Sequence, residues 1–280
     1  MSPLRTQMIR TLQLHRKSPE TVKAYTAAVA GLARFHRRSP DRLTDEQIRD
    51  YFHHLITVKN LSYSTCNQRL CGINFLFRHV LGRERFDLKI PHKRSGVLPV
   101  PLSRSEIARV IDAARNLKHR VMLMTTYGGG LRVGDLVRLE LRDIHSQRML
   151  IHVRQGKGHK DRYTLLSESL LEQLRLYWTV YRPTQWLFEN RSGDALATGT
   201  VQSMFGDVKR RSGVTRGRGI HSLRHSFATH LMEAGVPLPT IQRLMGHASL
   251  TTTAKYLHVT GAHVGSIRSP LDLLRMPENF

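Results

Sequence analysis

Residues 82–101 break the helical periodicity that runs up to them. Pro91, Pro99 and Pro101 are interspersed with Lys89, His92, Lys93 and Arg94, and no apolar repeat continues through. Proline fixes its own backbone and donates no hydrogen bond, so no helix interior or central strand accommodates three of them in so short a span. The chain must therefore fold on either side of this stretch. Its 280 residues suffice for two modest hydrophobic cores. The expected organisation is a domain over residues 1–88, a basic linker over 89–101 and a second domain over 102–280, with a tail from about residue 261.

On the N-terminal side the signals are all helical. Ser18-Pro19-Glu20 supplies an N-cap with proline at the first helical position, and Val22, Tyr25, Val29, Leu32 and Phe35 follow at helical spacing. Thr44-Asp-Glu-Gln47 reads as a capping box ahead of Ile48, Tyr51, Phe52, Leu55 and Ile56. A third helix over residues 62–81 puts Leu70, Ile73, Phe77 and Val80 on one face, and a short helix precedes Lys17. A small all-helical bundle is the expectation.

Beyond the linker the pattern is mixed. Ser103 to Glu106 is a second capping box, leading Ile107, Val110 and Ile111. An apolar helix over 119–127 runs into Gly128-Gly129-Gly130, which ends it and lets the backbone turn sharply. Arg132 then opens a helix over 133–139, where free amides favour an anion; Asp135, three residues on, is either its helical ion-pair partner or the group that orients it. Residues 149–154 and 161–166 have strand composition and flank Gln155-Gly-Lys-Gly-His-Lys160, the signature of a hairpin with Lys157 at its tip. Helices are expected over 167–181, 200–211, 220–234, 237–245 and 250–259, with a short strand at Trp186-Leu-Phe188. The fold class is mainly α in two domains: a helical bundle, then a mixed α/β domain with a small antiparallel sheet.

Lys plus Arg number 44 against 21 Asp plus Glu, a formal net charge of +23, which points to a polyanion and above all to nucleic acid. The excess is not confined to a tail, because residues 1–100 carry 18 basic and 7 acidic side chains and residues 101–280 carry 26 and 14. Both halves are expected to touch the polyanion. No apolar run is long enough to span a membrane. The arginine-bearing N-terminus has no secretory apolar core; a transit peptide is the lesser reading. Cys66 and Cys71 lie about 140° apart around a helix, which fits unpaired thiols in a reducing cytoplasm.

Chemistry concentrates in residues 221–258, where His221, Arg224, His247 and Tyr256 fall within one block of helical sequence. Arg224 offers a planar fork for phosphate oxygens, His221 can carry a proton near neutral pH, and Tyr256 has an oxygen able to form a covalent intermediate. Arg210, Arg211, Arg216 and Arg218 crowd the approach to His221, as a solvated loop or as phosphate contacts. Lys157 on its own is a solvated hairpin lysine, and the loop lacks the spacing of a phosphate-cradling P-loop. His221, His225 and His230 lie within three turns, but without HExxH or a Cys or carboxylate cluster no metal site is expected.

The series His221-x-x-Arg224, Gly246-His247 and Thr252-Thr253-x-x-Tyr256, preceded by Gly130-Leu131-Arg132-Val133-Gly134-Asp135 and by residues 156–162, resembles the tyrosine recombinase (phage integrase) family, nearest its Xer and integron-type branches. Gly129 and Gly134 depart from the family, which more often carries Thr, and Ser or Thr, there. The resemblance implies a SAM-like N-terminal core-binding domain and a C-terminal catalytic domain with Arg132, Lys157, His221, Arg224, His247 and the nucleophile Tyr256 as catalytic residues. It implies a site-specific recombinase that cuts and rejoins double-stranded DNA through a 3′-phosphotyrosyl intermediate, with neither metal, ATP nor other cofactor. The partners implied are duplex recombination sites and further copies of the chain, as a tetramer on paired sites. The tail would cover its own core or pack on a neighbouring protomer. The setting implied is the bacterial cytoplasm, at the nucleoid. A type IB topoisomerase shares the chemistry, and an accessory DNA-binding protein shares the charge.

Overall fold

The computed structural model describes residues 2–84, 86–90, 101–154 and 161–246, and the chain divides into two compact units, Met1–Gly96 and Val97–Phe280. The expectations for Lys157, His247, Tyr256, the helix over 250–259 and the tail fall outside the described residues.

The first unit contains α1 (Pro3–Leu14), α2 (Pro19–His36), α3 (Asp45–Thr57) and α4 (Tyr63–His79). Each starts where a short polar side chain can satisfy a free helical amide. Ser18 Oγ accepts from Thr21 N at 3.3 Å ahead of Pro19. At α3 the box is reciprocal, Thr44 Oγ1 accepting from Gln47 N at 3.3 Å and Gln47 Oε1 accepting from Thr44 N at 3.1 Å. The apolar faces meet in one core around Leu12, Leu32, Ile48, Phe52, Ile73 and Leu76, all buried, and Phe86 is buried there after the last helix. Cys66 is buried and Cys71 exposed, both as free thiols.

The second unit opens with α5 (Arg104–Asp112) and α6 (Leu117–Gly128). Ser103 and Glu106 form the second reciprocal box, Ser103 N donating to Glu106 Oε2 at 2.8 Å. Asn116 caps α6 through its Oδ1, so the helix begins at Leu117, two residues before the start that the apolar pattern alone suggests. Then come α7 (Val133–Leu136), β1 (Ile144–His145), β2 (Leu150–Val153), β3 (Arg162–Leu165), α8 (Glu168–Tyr181), α9 (Thr198–Ser212), α10 (His221–Glu233) and α11 (Leu238–Met245). The strands make one antiparallel sheet in sequence order, with Ile151 opposite Thr164 and Val153 opposite Arg162. Its inner face joins a core of Val121, Leu131, Leu136, Ile151, Phe205 and Leu223. A smaller core of Phe227, Ala228, Met232, Ile241 and Met245 glues α10 to α11.

Two expected elements are corrected. The helix over 133–139 is only the single turn of α7, because the chain beyond it finds other partners: Leu187 N donates to Leu139 O at 2.7 Å and Leu141 N to Gln185 O at 3.1 Å. The same pairing accounts for Trp186-Leu-Phe188, which is not a strand. Trp186 and Glu189 make isolated bridges to Glu140 and Ala195, and Leu187 and Phe188 are held by burial instead of a ladder. The two-residue β1 had no signal of its own in the sequence.

Candidate functional site: a guanidinium cluster at the end of α11

Three arginines from three separate elements converge on the last carbonyls of α11. Arg224, in the first turn of α10 and 4% exposed, donates from Nη2 to Met245 O at 2.5 Å and from Nη1 to Gly130 O. Arg132, the N-cap of α7, donates from Nη2 to Gly246 O at 3.2 Å. Arg162, on the inner face of β3 and 8% exposed, donates from Nε to Leu244 O at 3.0 Å. The final carbonyls of a helix have no acceptor duty within it, and cations there oppose the negative end of the macrodipole. Gly246 closes α11 at φ 60°, the left-handed conformation that glycine reaches without a Cβ clash.

The glycine run beneath this cluster has a structural purpose. Leu131 N donates to Thr126 O at 3.0 Å as α6 ends, and Gly130 turns at φ +58° with its carbonyl aimed at Arg224. A Cβ on Gly130 would stand 2.3 Å from Phe227 Cδ1, so the turn and α10 pack backbone against ring.

Asp135 is the anionic centre of the cluster, 3% exposed. Its Oδ2 accepts from Arg162 Nη2 at 2.8 Å and from Arg132 N at 3.2 Å, while Arg132 Nη1 stands off at 3.8 Å. Both sequence readings of Asp135 hold in part: it answers Arg132, but its shortest ion pair is with Arg162. In the sequence Arg162 stands only as the last residue of the motif over 156–162. The signal was alternation: with Tyr163 outward on β3, Arg162 and Thr164 must face inward, and an inward charge needs a partner. Because α7 is a single turn, the anion-attracting field assigned to its start is slight, and guanidinium charge is what remains to attract a phosphate there.

His221 heads α10, one turn before Arg224 and on the same face. Its pKa is lowered, by burial first and then by the Arg224 and Arg132 cations, with Asp135 pulling the other way. Its surface is exposed, and the two guanidiniums nearby add to the cost of a further cation there. Either cause leaves a neutral imidazole at neutral pH. His230 is engaged elsewhere, its Nδ1 2.8 Å from Tyr127 Oη, and His225 is partly buried with a lowered pKa caused by burial and by His221 and Arg224. Among the described residues no three His, Cys, Asp or Glu side chains are grouped to hold a metal ion.

Three of the arginines leading up to His221 have acceptors within the unit. Arg211 donates from Nε and Nη2 to Ala113 O, Arg210 pairs with Asp207, and Arg216 stands 3.7 Å from Glu106. Lys209 holds the loop from inside through Thr215 O and Gly217 O.

Comparison with known proteins bears on this geometry. Residues 101–263 match the model of the phage integrase family, and residues 4–86 that of the phage integrase N-terminal SAM-like domain. A putative integrase/recombinase of Sinorhizobium fredii is 39% identical over 99% of this chain and 91% of its own length. The tyrosine recombinase XerA of Pyrococcus horikoshii is 33% identical over 90% of this chain and 88% of its own. Among solved structures, a XerA recombinase aligns over 94% of this chain and 95% of its own at 28% identity and a TM-score of 0.56. A lambda integrase dimer bound to a core site aligns over 91% and 94% at a TM-score of 0.74; at 20% identity it speaks to the fold alone.

Proposed function

The chain belongs to the phage integrase family, that of the tyrosine recombinases, and on that premise we propose that it cleaves and rejoins double-stranded DNA at specific sites, with Tyr256 as nucleophile. The observation that carries this reading is the convergence of Arg132 and Arg224 on Met245 O and Gly246 O. Two guanidiniums are thereby anchored immediately before the stretch that supplies His247 and Tyr256.

The Tyr256 oxygen attacks a backbone phosphorus in line, a P–O bond to tyrosine forms and the P–O5′ bond breaks. The products are a 3′-phosphotyrosyl protein and a free 5′-hydroxyl. Arg132 and Arg224 take the non-bridging oxygens and neutralise the charge that builds on them. The neutral form of His221 receives the tyrosine proton, Lys157 gives a proton to the departing 5′-oxygen, and His247 donates a further hydrogen bond to the phosphate. The two guanidiniums, with Lys157, supply the positive charge that a divalent cation supplies in other phosphoryl transfers, and the phosphotyrosyl bond retains the energy for resealing. The reaction accordingly runs without metal or ATP.

Attack by the 5′-hydroxyl of a second duplex completes recombination, which requires two sites side by side and hence several protomers, most economically four. Residues 1–88 form the domain that grips duplex DNA, 89–101 the linker along it and 102–280 the catalytic domain, with a tail from about residue 261 that covers its own core or packs on a neighbour. The work is done in the cytoplasm, on the nucleoid. Among the described residues no helix is long and apolar enough to cross a membrane.

The test uses nicked suicide duplexes drawn from the DNA flanking the gene, incubated in EDTA with wild-type or Tyr256→Phe protein and resolved on a denaturing gel. A covalent adduct formed by wild type alone is expected. Tight binding without any adduct would identify an accessory DNA-binding protein instead; on a supercoiled two-site plasmid, relaxed circles without strand exchange would identify a topoisomerase.

A further inference from the structure

We propose that Arg162 is a positioning residue for strand cleavage: by tying Asp135 to the Leu244 carbonyl it fixes where the Arg132 guanidinium stands. This role rests on the recombinase reading above.

The register of β3 forces Arg162 inward. It pairs with Val153, and burial along residues 162–165 alternates buried, exposed, buried, exposed. An isolated arginine in that position would carry a heavy desolvation cost, but this one is bonded at both ends of its fork. Nη2 reaches Asp135 at 2.8 Å across 27 residues of sequence, and Nε reaches Leu244 O at 3.0 Å across 82. The planar guanidinium meets the two acceptors at once, whereas a lysine has one nitrogen to offer.

The consequence for Arg132 follows from competition for one carboxylate. Arg162 satisfies Asp135 Oδ2 at hydrogen-bond length, and Arg132 Nη1 remains at 3.8 Å with Nη2 turned to Gly246 O. Without Arg162 the buried carboxylate would draw the nearest cations. Arg138 approaches its other oxygen at 3.7 Å but is 53% exposed and well solvated, so Arg132, 22% exposed, moves instead. Closing from 3.8 Å to a charged hydrogen bond of about 2.8 Å is a displacement of about 1 Å. Misplacement on that scale typically costs about 10²-fold in rate. Gly246 reports on the same contact from the other side, because a Cβ there would stand 2.7 Å from Arg162 Cδ.

The experiment measures single-turnover cleavage of a nicked suicide duplex by wild type, Arg162→Met, Arg162→Gln and the double variant Asp135→Asn/Arg162→Met, with DNA affinity and melting temperature beside each rate. Arg162→Met is expected to cleave about 10²-fold more slowly while holding DNA as tightly as wild type. The double variant is expected to recover about tenfold or more of that loss, because a neutral amide no longer pulls on Arg132. That recovery is what a merely structural role would not produce. If Arg162→Met does not fold, the rate of Arg162→Gln decides. Wild-type cleavage by the single variants, absence of recovery in the double variant, or failure of both single variants to fold would each overturn the positioning role. A wild-type protein that forms no adduct would refute the recombinase reading, and this role with it.

Discussion

Replacing Gly130 by alanine tests the argument at its tightest point. The residue turns at φ +58°, a region that costs an L-residue with a Cβ roughly 1–2 kcal/mol. The new methyl would stand 2.3 Å and 2.5 Å from Phe227 Cδ1 and Cε1. Phe227 is 5% exposed in the core between α10 and α11, so it has little room to retreat, and overpacking of this kind costs about 1–3 kcal/mol. The two together destabilise the catalytic unit by about 2–5 kcal/mol, a fall of roughly 4–20 °C in its melting temperature for a domain of this size. Because Gly130 O also accepts from Arg224, cleavage of a suicide duplex well below the melting point is expected to slow beyond what the unfolded fraction explains. Gly206 is the control: it lies within α9, exposed, with nothing near its would-be Cβ, so alanine there should stabilise by about 0.5–1 kcal/mol. A Gly130→Ala protein that melts with wild type refutes the packing argument. One that melts low but cleaves at the wild-type rate severs Gly130 from Arg224.

Three further outcomes are expected. The pKa values of His119, His221, His225 and His230 all lie below the ordinary 6.5, burial being foremost in each, with Arg211 acting on His119 and Arg224 on His221 and His225. The folded state therefore refuses protons that the unfolded chain accepts, and stability present above pH 6.5 is lost as the pH falls below it. Urea midpoints at pH 7.5 and 5.5 should differ in that sense, and equal midpoints would contradict it. Ser103→Ala removes the acceptor for Glu106 N and should cost about 1 kcal/mol, read from the same denaturation curves. DNA affinity should fall steeply with salt, by about 10³–10⁵ between 50 and 200 mM for 6–10 phosphate contacts; a nearly flat plot would mean that the +23 charge faces something else.

Helix starts were legible because their signals are local. Ser18, Thr44 and Ser103 each cap the helix that their own side chain predicts, and Ser62 and Ser167 cap the helices expected to start at them. Errors arose where partners far apart in sequence compete. Residues 139–141 leave the helical path to pair with 185–187, which shortens α7 and dissolves the strand read at Trp186 in a single step. In the candidate site, Arg132, His221 and Arg224 were marked by their spacing. What Arg224 holds was not, since carbonyls 94 residues back and 21 ahead leave no trace in composition. Arg162 was readable only to someone who trusted the alternation on β3 enough to bury a charge, and nothing in the run itself marked the acceptors that Arg210, Arg211 and Arg216 find in Asp207, Ala113 O and Glu106.

The arginine cap on α11 also sets a schedule for biosynthesis. Gly246 is made 114 residues after Arg132, and Leu244 82 residues after Arg162. At about 5–20 residues per second of synthesis, the earlier guanidinium waits roughly 5–25 s for its carbonyl. From the completion of β3 until Leu244 is made, the nascent sheet carries an inward arginine without its second acceptor, so the catalytic unit has no finished native state to settle into. A chain cut short before residue 244 therefore keeps its complete first unit, while Arg162 in the second has Asp135 but not the Leu244 carbonyl.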